Sequence, residues 1–402
     1  MTRFAVFTTA LLVAALLRPA AASAQESNLL TAADANPLAP AGWSFTPSLS
    51  YSGGWDDNVL MQGKGDTAPA DFLNVVNPHG TLDYKGRRAQ VSASYDGAFL
   101  LYRDLNSLDS YDQHGWFFAQ RMLSKHVGLF VHNTAASVPT TELAPLVAIP
   151  FVRTGSRLDS LRSGVEVAFT SRTSMAASYD FEWVEFNQNQ PGAEGLRGGH
   201  SHGGSVNLKH TVSARLALIA DYSLQHALVK TIDQTFDVQN GSIGIEYKLS
   251  DVTRVVAAGG ISKLASTETA TDRTGPAVRL GLTRHFRTAD IDLGYRRSFV
   301  PSYGFGGTMQ NEETTARLRV PLARRVYTAG GVAWRRNDPL IDLEPPLRSV
   351  WIEGTLGYAM TPWAQIEAFY GGTHQTIDRP GGEVDRNRFG FQVTTTKPMR
   401  IH

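Results

Sequence analysis

The stretch Trp43-Ser44-Phe45-Thr46-Pro47-Ser48-Leu49-Ser50-Tyr51-Ser52 puts Trp43, Phe45, Leu49 and Tyr51 in one phase and small polar residues in the other. Successive side chains of a strand point to opposite faces, so such a segment has one greasy face and one wet face. Working outward, the same alternation recurs to the end of the chain. Segments of this kind begin near Phe72, Ala89, Tyr111, Val127, Leu158, Met175, Ser201, Leu216, Phe236, Val255, Thr274, Ala289, Glu313, Val326, Ser349, Trp363 and Arg386. Together with the first they make about eighteen strands, with sixteen as the nearest alternative even number.

The connections have a rhythm of their own. Short links fall at Lys85-Gly86-Arg87, Ser124-Lys125-His126, Ser171-Arg172-Thr173, Val212-Ser213-Ala214, Ser250-Asp251-Val252, Arg287-Thr288, Ala323-Arg324-Arg325 and Thr361-Pro362. Between them lie longer links rich in Gly, Pro and Asp, at 56–69, 139–155, 187–199, 301–309, 337–347 and 376–385. Long strands with alternately tight and extended connections are the pattern of an all-β, antiparallel, up-and-down transmembrane β-barrel. Its tight turns and termini belong in the periplasm and its long loops outside.

The beginning of the chain supports export. Met1 to Arg3 is a short basic start, Phe4 to Leu17 an apolar run, and Ala22-Ser23-Ala24 a small-residue cleavage site, so 1–24 reads as a signal peptide. Residues 25–41 read as a periplasmic lead-in and 42–402 as the barrel. The apolar run is too short to span a bilayer as a helix. The chain has no cysteine, which removes both a lipid-modified N-terminus and disulfide stapling. Charged residues are 19% of the chain, below the ordinary soluble share of about 25%, as expected if one face of every strand meets lipid. A net charge of +1 with no basic stripe gives no sign of nucleic acid as a partner.

Taking the phase opposite to the apolar one gives the lumen. It collects Asp83, Asp96, Glu166, Asp180, Glu182, Asp221, Glu246, Arg279, Asp292, Arg296, Arg317, Arg319, Arg335, Glu353 and Glu367 as expected pore-lining residues. A basic side chain facing lipid at mid-membrane costs about 2 to 4 kcal/mol, so the restriction of charge to one phase supports the assignment. Carboxylates dominate the first half of the barrel and arginines the second. Two readings follow: a transverse field that orients a passing solute, or opposite charges that pair and stiffen the wall. Trp43, Tyr84, Tyr247, Tyr358 and Trp363 fit an aromatic belt at the periplasmic ends, and Tyr222, Tyr295, Trp334 and Tyr370 one at the outer ends. Tyr102, Phe130 and Phe369 are inward but too scattered for a sugar-stacking slide.

Trp55-Asp56-Asp57-Asn58-Val59, then Asp71-Phe72, Pro78, Gly80, Tyr95 and Tyr102, resemble the opening of the β-barrel porin type 2 family. Glu246-Tyr247-Lys248-Leu249-Ser250 and Gly357-Tyr358-Ala359-Met360-Thr361-Pro362 are also similar to it. The resemblance implies a bacterial outer-membrane barrel, some relatives of which are associated with exopolysaccharide operons, and it brings no catalytic residues. The chain departs from the general barrel pattern at Met399-Arg400-Ile401-His402, which lacks the terminal aromatic residue used by the barrel assembly machinery.

No catalytic constellation stands out. His200 and His202 share a phase and form half a metal site, but that phase also carries Val206 and Leu208 and places them at the outer rim. His114, His132, His226 and His374 fall on different strands, and spacing alone brings no carboxylate to them. Asp56-Asp57-Asn58 with Asp71 crowd carboxylates near one loop, where a turn explains them better than calcium. The expectation is therefore a channel without cofactor, metal or enzymatic role. It would sit in outer-membrane lipid and pass a polar solute or a polysaccharide. The alternative is a non-conducting barrel that anchors an envelope complex, with the apolar loop Leu143, Pro145, Leu146, Val147, Ile149 and Phe151 as its plug.

Overall fold

The computed structural model describes residues 42–64, 68–141, 152–187, 196–230, 234–266, 272–286, 289–304, 307–340, 345–378 and 382–401. The signal peptide, the lead-in and the apolar loop residues 143–151 lie outside the described residues. The strands are β1 (Gly42–Asp56), β2 (Asp71–Lys85), β3 (Ala89–Tyr102), β4 (Ser110–Met122), β5 (Val127–Val138) and β6 (Ser156–Ala168). They continue as β7 (Thr173–Phe186), β8 (Gly199–Thr211), β9 (Leu216–Val229), β10 (Gln234–Ser250), β11 (Thr253–Ser266), β12 (Arg273–His285) and β13 (Asp290–Ser302). The last are β14 (Gly307–Pro321), β15 (Val326–Pro339), β16 (Leu347–Thr361), β17 (Ala364–Ile377), β18 (Glu383–Thr396) and β19 (Met399–Ile401).

Every strand pairs antiparallel with its sequence neighbour, and the sheet closes on itself. β1 pairs with β18 from Ser48↔Thr396 to Asp56↔Arg388, and with β19 from Trp43↔Ile401 to Phe45↔Met399. β19 therefore continues β18 beyond Lys397 and Pro398, and the wall has 18 staves. Closure satisfies the backbone of both outermost strands, which hydrocarbon requires of any structure that spans it. The unusual C-terminal sequence is thus built into the seam.

Side-chain alternation sets the faces. Leu49, Tyr51, Tyr95, Phe99, Tyr179, Leu218, Ile243, Ile261, Leu280, Ile352, Leu356 and Phe389 are all exposed on the exterior. Ile243 has 74% of its surface accessible, which only a surrounding lipid phase makes favourable. An even-staved closed barrel with this apolar belt is a bacterial outer-membrane protein.

The sequence-read strands start within a few residues of those observed, the largest difference being β14, which begins at Gly307 rather than near Glu313. β15 likewise runs to Pro339, into a segment read as loop. The alternation of short and long links is less strict than expected. The outer links 230–233 and 303–306 are as short in sequence as the inner ones, because the pairing of β9 with β10 runs to Val229↔Gln234 and that of β13 with β14 to Ser302↔Gly307. Inner turns share a chemical device. The hydroxyl of Ser124 accepts the backbone N–H groups of His126 and Val127, Thr170 those of Arg172 and Thr173, and Ser213 those of Arg215 and Leu216. Such hydroxyl-backbone bonds close a turn without glycine.

One departure from regularity matters for the interior. β12 pairs with β13 only from His285↔Asp290 to Val278↔Arg297, while β13 continues to Ser302 and pairs with β14 to its end. The outer part of β12, residues 273–277, keeps only its β11 partner. Pro276 sits in this half-paired stretch, where a residue without an N–H is tolerated.

Candidate functional site

The register places all fifteen expected pore-lining residues on the inward face, since each lies opposite an inward residue on a neighbouring strand. Asp83 faces Ser44, Asp96 faces His79, Glu166 faces Gly128, and Arg279 faces Arg296, which faces Glu313 and then Arg335. The same phase contains further charges that the sequence reading left out: Arg162, Lys209, Arg254, Glu313, Arg386 and Arg388. Parity alone would have found them.

The charges pair locally. Arg335 donates to Glu313 at 2.7 Å, Arg279 to Asp221 at 2.9 Å, and Lys209 and Arg254 both to Glu246 at 2.9 Å. Arg162 pairs with Asp180. Small side chains permit the longer reaches. Arg279 on β12 and Asp221 on β9 are separated by two strands whose intervening inward positions are Ser242, Gly244, Ala258 and Gly260. A Cβ on Gly260 would lie 1.8 Å from the carbonyl oxygen of Gly241 and one on Gly244 2.3 Å from that of Ala257, so only glycine fits the curved wall there. Tyr327 similarly lies over Gly357 and donates to Glu367 at 2.5 Å, while the Arg319 guanidinium stands 4.9 Å from its ring centroid. For the residues that take part, these are short-range pairs of the kind the second electrostatic reading expects.

The interior is not uniformly wet. Near the outer ends the inward phase becomes apolar. One cluster joins Leu73, Ala98, Leu100 and Tyr102 with the link residue Val59, another Val229, Phe236, Val238 and Leu264 with Phe299 from the outward phase of β13, and a third Val138, Leu158, Val184 and Phe186 with the link residues Leu196 and Tyr303. The charged lining is thus joined, toward the outer end, by an apolar storey. The links cover these clusters. Val59 is fully buried, and Arg153 donates to the Tyr102 hydroxyl at 2.9 Å and to the Leu108 carbonyl at 2.8 Å.

The third cluster joins distant parts of the wall. Tyr303 belongs to the β13–β14 link, yet it packs against the ends of β5, β6 and β7. Freed from β12 above Arg297, β13 steps inward, where the Phe299 N–H approaches Ser262 Oγ at 3.3 Å on β11. The tip is pinned by an Arg197 N–H to Gly304 carbonyl bond of 2.9 Å. Tyr303 is 2% exposed, and its hydroxyl lies near Glu182 and Ser201. Burial, reinforced by the Glu182 carboxylate, holds its phenol well above the ordinary pKa of 10. The hairpin thus crosses the outer mouth and docks on the opposite wall.

The histidines are better partnered than spacing suggested. His114 pairs with Asp112 at 3.0 Å, His226 with Asp237 at 2.7 Å and His374 with Asp385 at 2.6 Å, carboxylates that spacing alone does not bring to them. His79 bridges Asp96 at 3.1 Å and Thr81 at 3.0 Å. His202 and His226 are opposite one another on the exterior with ring centroids 5.2 Å apart. Among the described residues, His374, Glu383 and Asp385 bring ligand atoms within 4.8 Å of one another, but Glu383 already holds the Lys64 ammonium at 3.0 Å.

The crowded acids of the first loop act as turn and seam. Asp56 Oδ1 accepts the Asn58 N–H, Asn58 Oδ1 accepts the Gln62 N–H, and Met61 takes a left-handed φ of 53°. Asp56 is also gripped by the Arg386 guanidinium, and both are buried. Asp71 accepts the N–H groups of Phe72, Asp104 and Leu105.

No protein-family model and no curated protein matches this chain. Among solved structures, OccAB4 of Acinetobacter baumannii is similar at a TM-score of 0.48 and 8% identity, covering 90% of this chain and 100% of that one. OpdK of Pseudomonas aeruginosa with vanillate is similar at a TM-score of 0.47 and 9% identity, covering 89% and 99%. The barrel itself is defined by its own strand pairing, not by these likenesses.

Proposed function

We propose that this protein is a porin-like channel of the outer membrane that lets polar solutes pass, narrowed at its outer mouth by the β13–β14 hairpin. The observation that carries this reading is the register below the apolar clusters, which puts the hydrophilic side chains of Glu246, Asp221, Arg279, Asp292, Arg317, Arg319, Glu353 and Glu367 on the inward face. Inward charges on so many staves are stable only beside water or one another. Export of an exopolysaccharide is a narrower proposal within this class and rests on the sequence resemblance alone.

The docked hairpin favours one competing reading, a closed barrel that serves as a platform for an envelope complex. Planar-bilayer recording of the refolded mature chain separates the two. Steady openings with an ion preference support the channel. A silent bilayer from a folded, heat-modifiable barrel, silent also after Tyr303→Ala, overturns it and leaves the platform.

A further inference from the structure

On the exterior, just above the outer aromatic girdle, four charged residues stand in one cross-strand row. Arg297 on β13 faces Glu312 on β14, Glu312 faces Arg336 on β15, and Arg336 faces Arg348 on β16. Two residues nearer the membrane centre the corresponding row runs Tyr295, Thr314, Trp334 and Val350. Trp334 is exposed on the outer wall, and such rings lie at headgroup depth, so the arginines above them meet the headgroups themselves.

The row carries more positive than negative charge. Tyr295 donates to Glu312 at 2.9 Å, Arg297 donates to Gln310 at 3.1 Å, and Arg336 contacts Asp338 at 2.8 Å. The Arg297 Nε is buried with no acceptor. Arg348 is exposed, directly opposite Arg336, and has no acceptor among the described residues. Like charges directly opposite on one sheet face destabilise the pair. A planar guanidinium pair is suited to an oxyanion held in two-point contact.

We infer that Arg336 and Arg348, flanked by Arg297, form a binding site for the phosphate of an outer-leaflet glycolipid headgroup. The anion relieves the repulsion between the two guanidiniums, of which only Arg336 has a carboxylate partner, Asp338, among the described residues, and the acyl chains lie along the apolar wall beneath, on Trp334, Val332 and Ile352. This does not depend on whether the lumen conducts.

The test is lipid binding by the refolded mature chain in detergent, read by native mass spectrometry. The probes are bisphosphorylated lipid A, the same lipid with both phosphates removed, and sodium phosphate as competitor. The wild-type chain should retain lipid A and lose it as salt rises. R336Q/R348Q should weaken retention about tenfold or more. Arg157→Gln, on the exterior of β6, should leave it unchanged. A second reading comes without lipid: Arg348→Ala should raise the thermal midpoint in detergent by removing the repulsion. Equal retention of the phosphate-free lipid, equal binding by R336Q/R348Q in a heat-modifiable barrel, full competition by millimolar phosphate, or a lowered Arg348→Ala midpoint would each overturn the assignment.

Discussion

Arg386 and Asp56 show how much a single pair decides. Both are buried at the β18–β1 seam, where the guanidinium grips the carboxylate through Nε at 3.0 Å and through a second nitrogen. Removing one partner leaves the other charged and dry, which typically costs about 3 to 5 kcal/mol. Arg386→Ala should therefore lower the urea midpoint of the folded barrel markedly, whereas Lys64→Ala, which breaks the exposed pair with Glu383, should change it little. The two midpoints, read by the heat-modifiable gel shift, check the contrast. The grouping of Asp56, Asp57 and Asn58 was legible as a turn, because short polar side chains beside an apolar strand end have that use. Their partner Arg386 was not, since it lies 330 positions away and only closure of the sheet brings it near.

At the scale of elements, the hairpin of β13 and β14 is the part most open to manipulation. Among the described residues its tip is held by Tyr303 and the Arg197–Gly304 backbone bond, with Phe299 anchoring the base, so Tyr303→Ala should loosen the tip and raise single-channel conductance without loss of the folded band. Alkali should act the same way. The phenol is held above 10 in the docked state but titrates near 10 once released, so docking is fully favourable below pH 10. It then weakens by up to about tenfold per pH unit above that. Conductance should rise between pH 10 and 11 in the wild type and stay flat in Tyr303→Phe; a flat wild-type trace would refute the dependence. Strand positions were readable because alternation is local. The inward step of β13 was not, because it depends on where β12 stops pairing, which no single strand encodes. Pro276 marks that place, and the short 303–306 link, read as a long loop, hid it.

For the whole molecule, the reading of one wet and one greasy face carried over along the staves except at the outer end of β13, where Phe299 of the greasy phase turns into the interior, and parity alone located the charged inward phase. Parity did not reveal the apolar outer storey. Leu73, Leu100, Val184, Val238 and Leu264 occupy the inward phase near the mouth, and in sequence they only blur the alternation. Nor did it reveal which charges meet, which depends on glycines such as Gly244 and Gly260 that clear the path between them. If the passage conducts, Arg317→Ala with Arg319→Ala should move the reversal potential in a salt gradient toward cations, because Glu353 and Glu367 lose their basic neighbours. No movement would mean that the permeating ions never approach this wall.

The pairing of Arg279 with Asp221, Arg335 with Glu313, and Lys209 and Arg254 with Glu246 has a consequence for sorting by size. Two opposite charges a few ångströms apart look nearly neutral from the centre of the passage and strongly polar from within touching distance. If the barrel conducts, a hydrated ion on its axis would sense these particular pairs only weakly. A broader solute in touch with the wall would meet each pair as a separate donor and acceptor, so these pairs would discriminate chemically only among solutes wide enough to reach them.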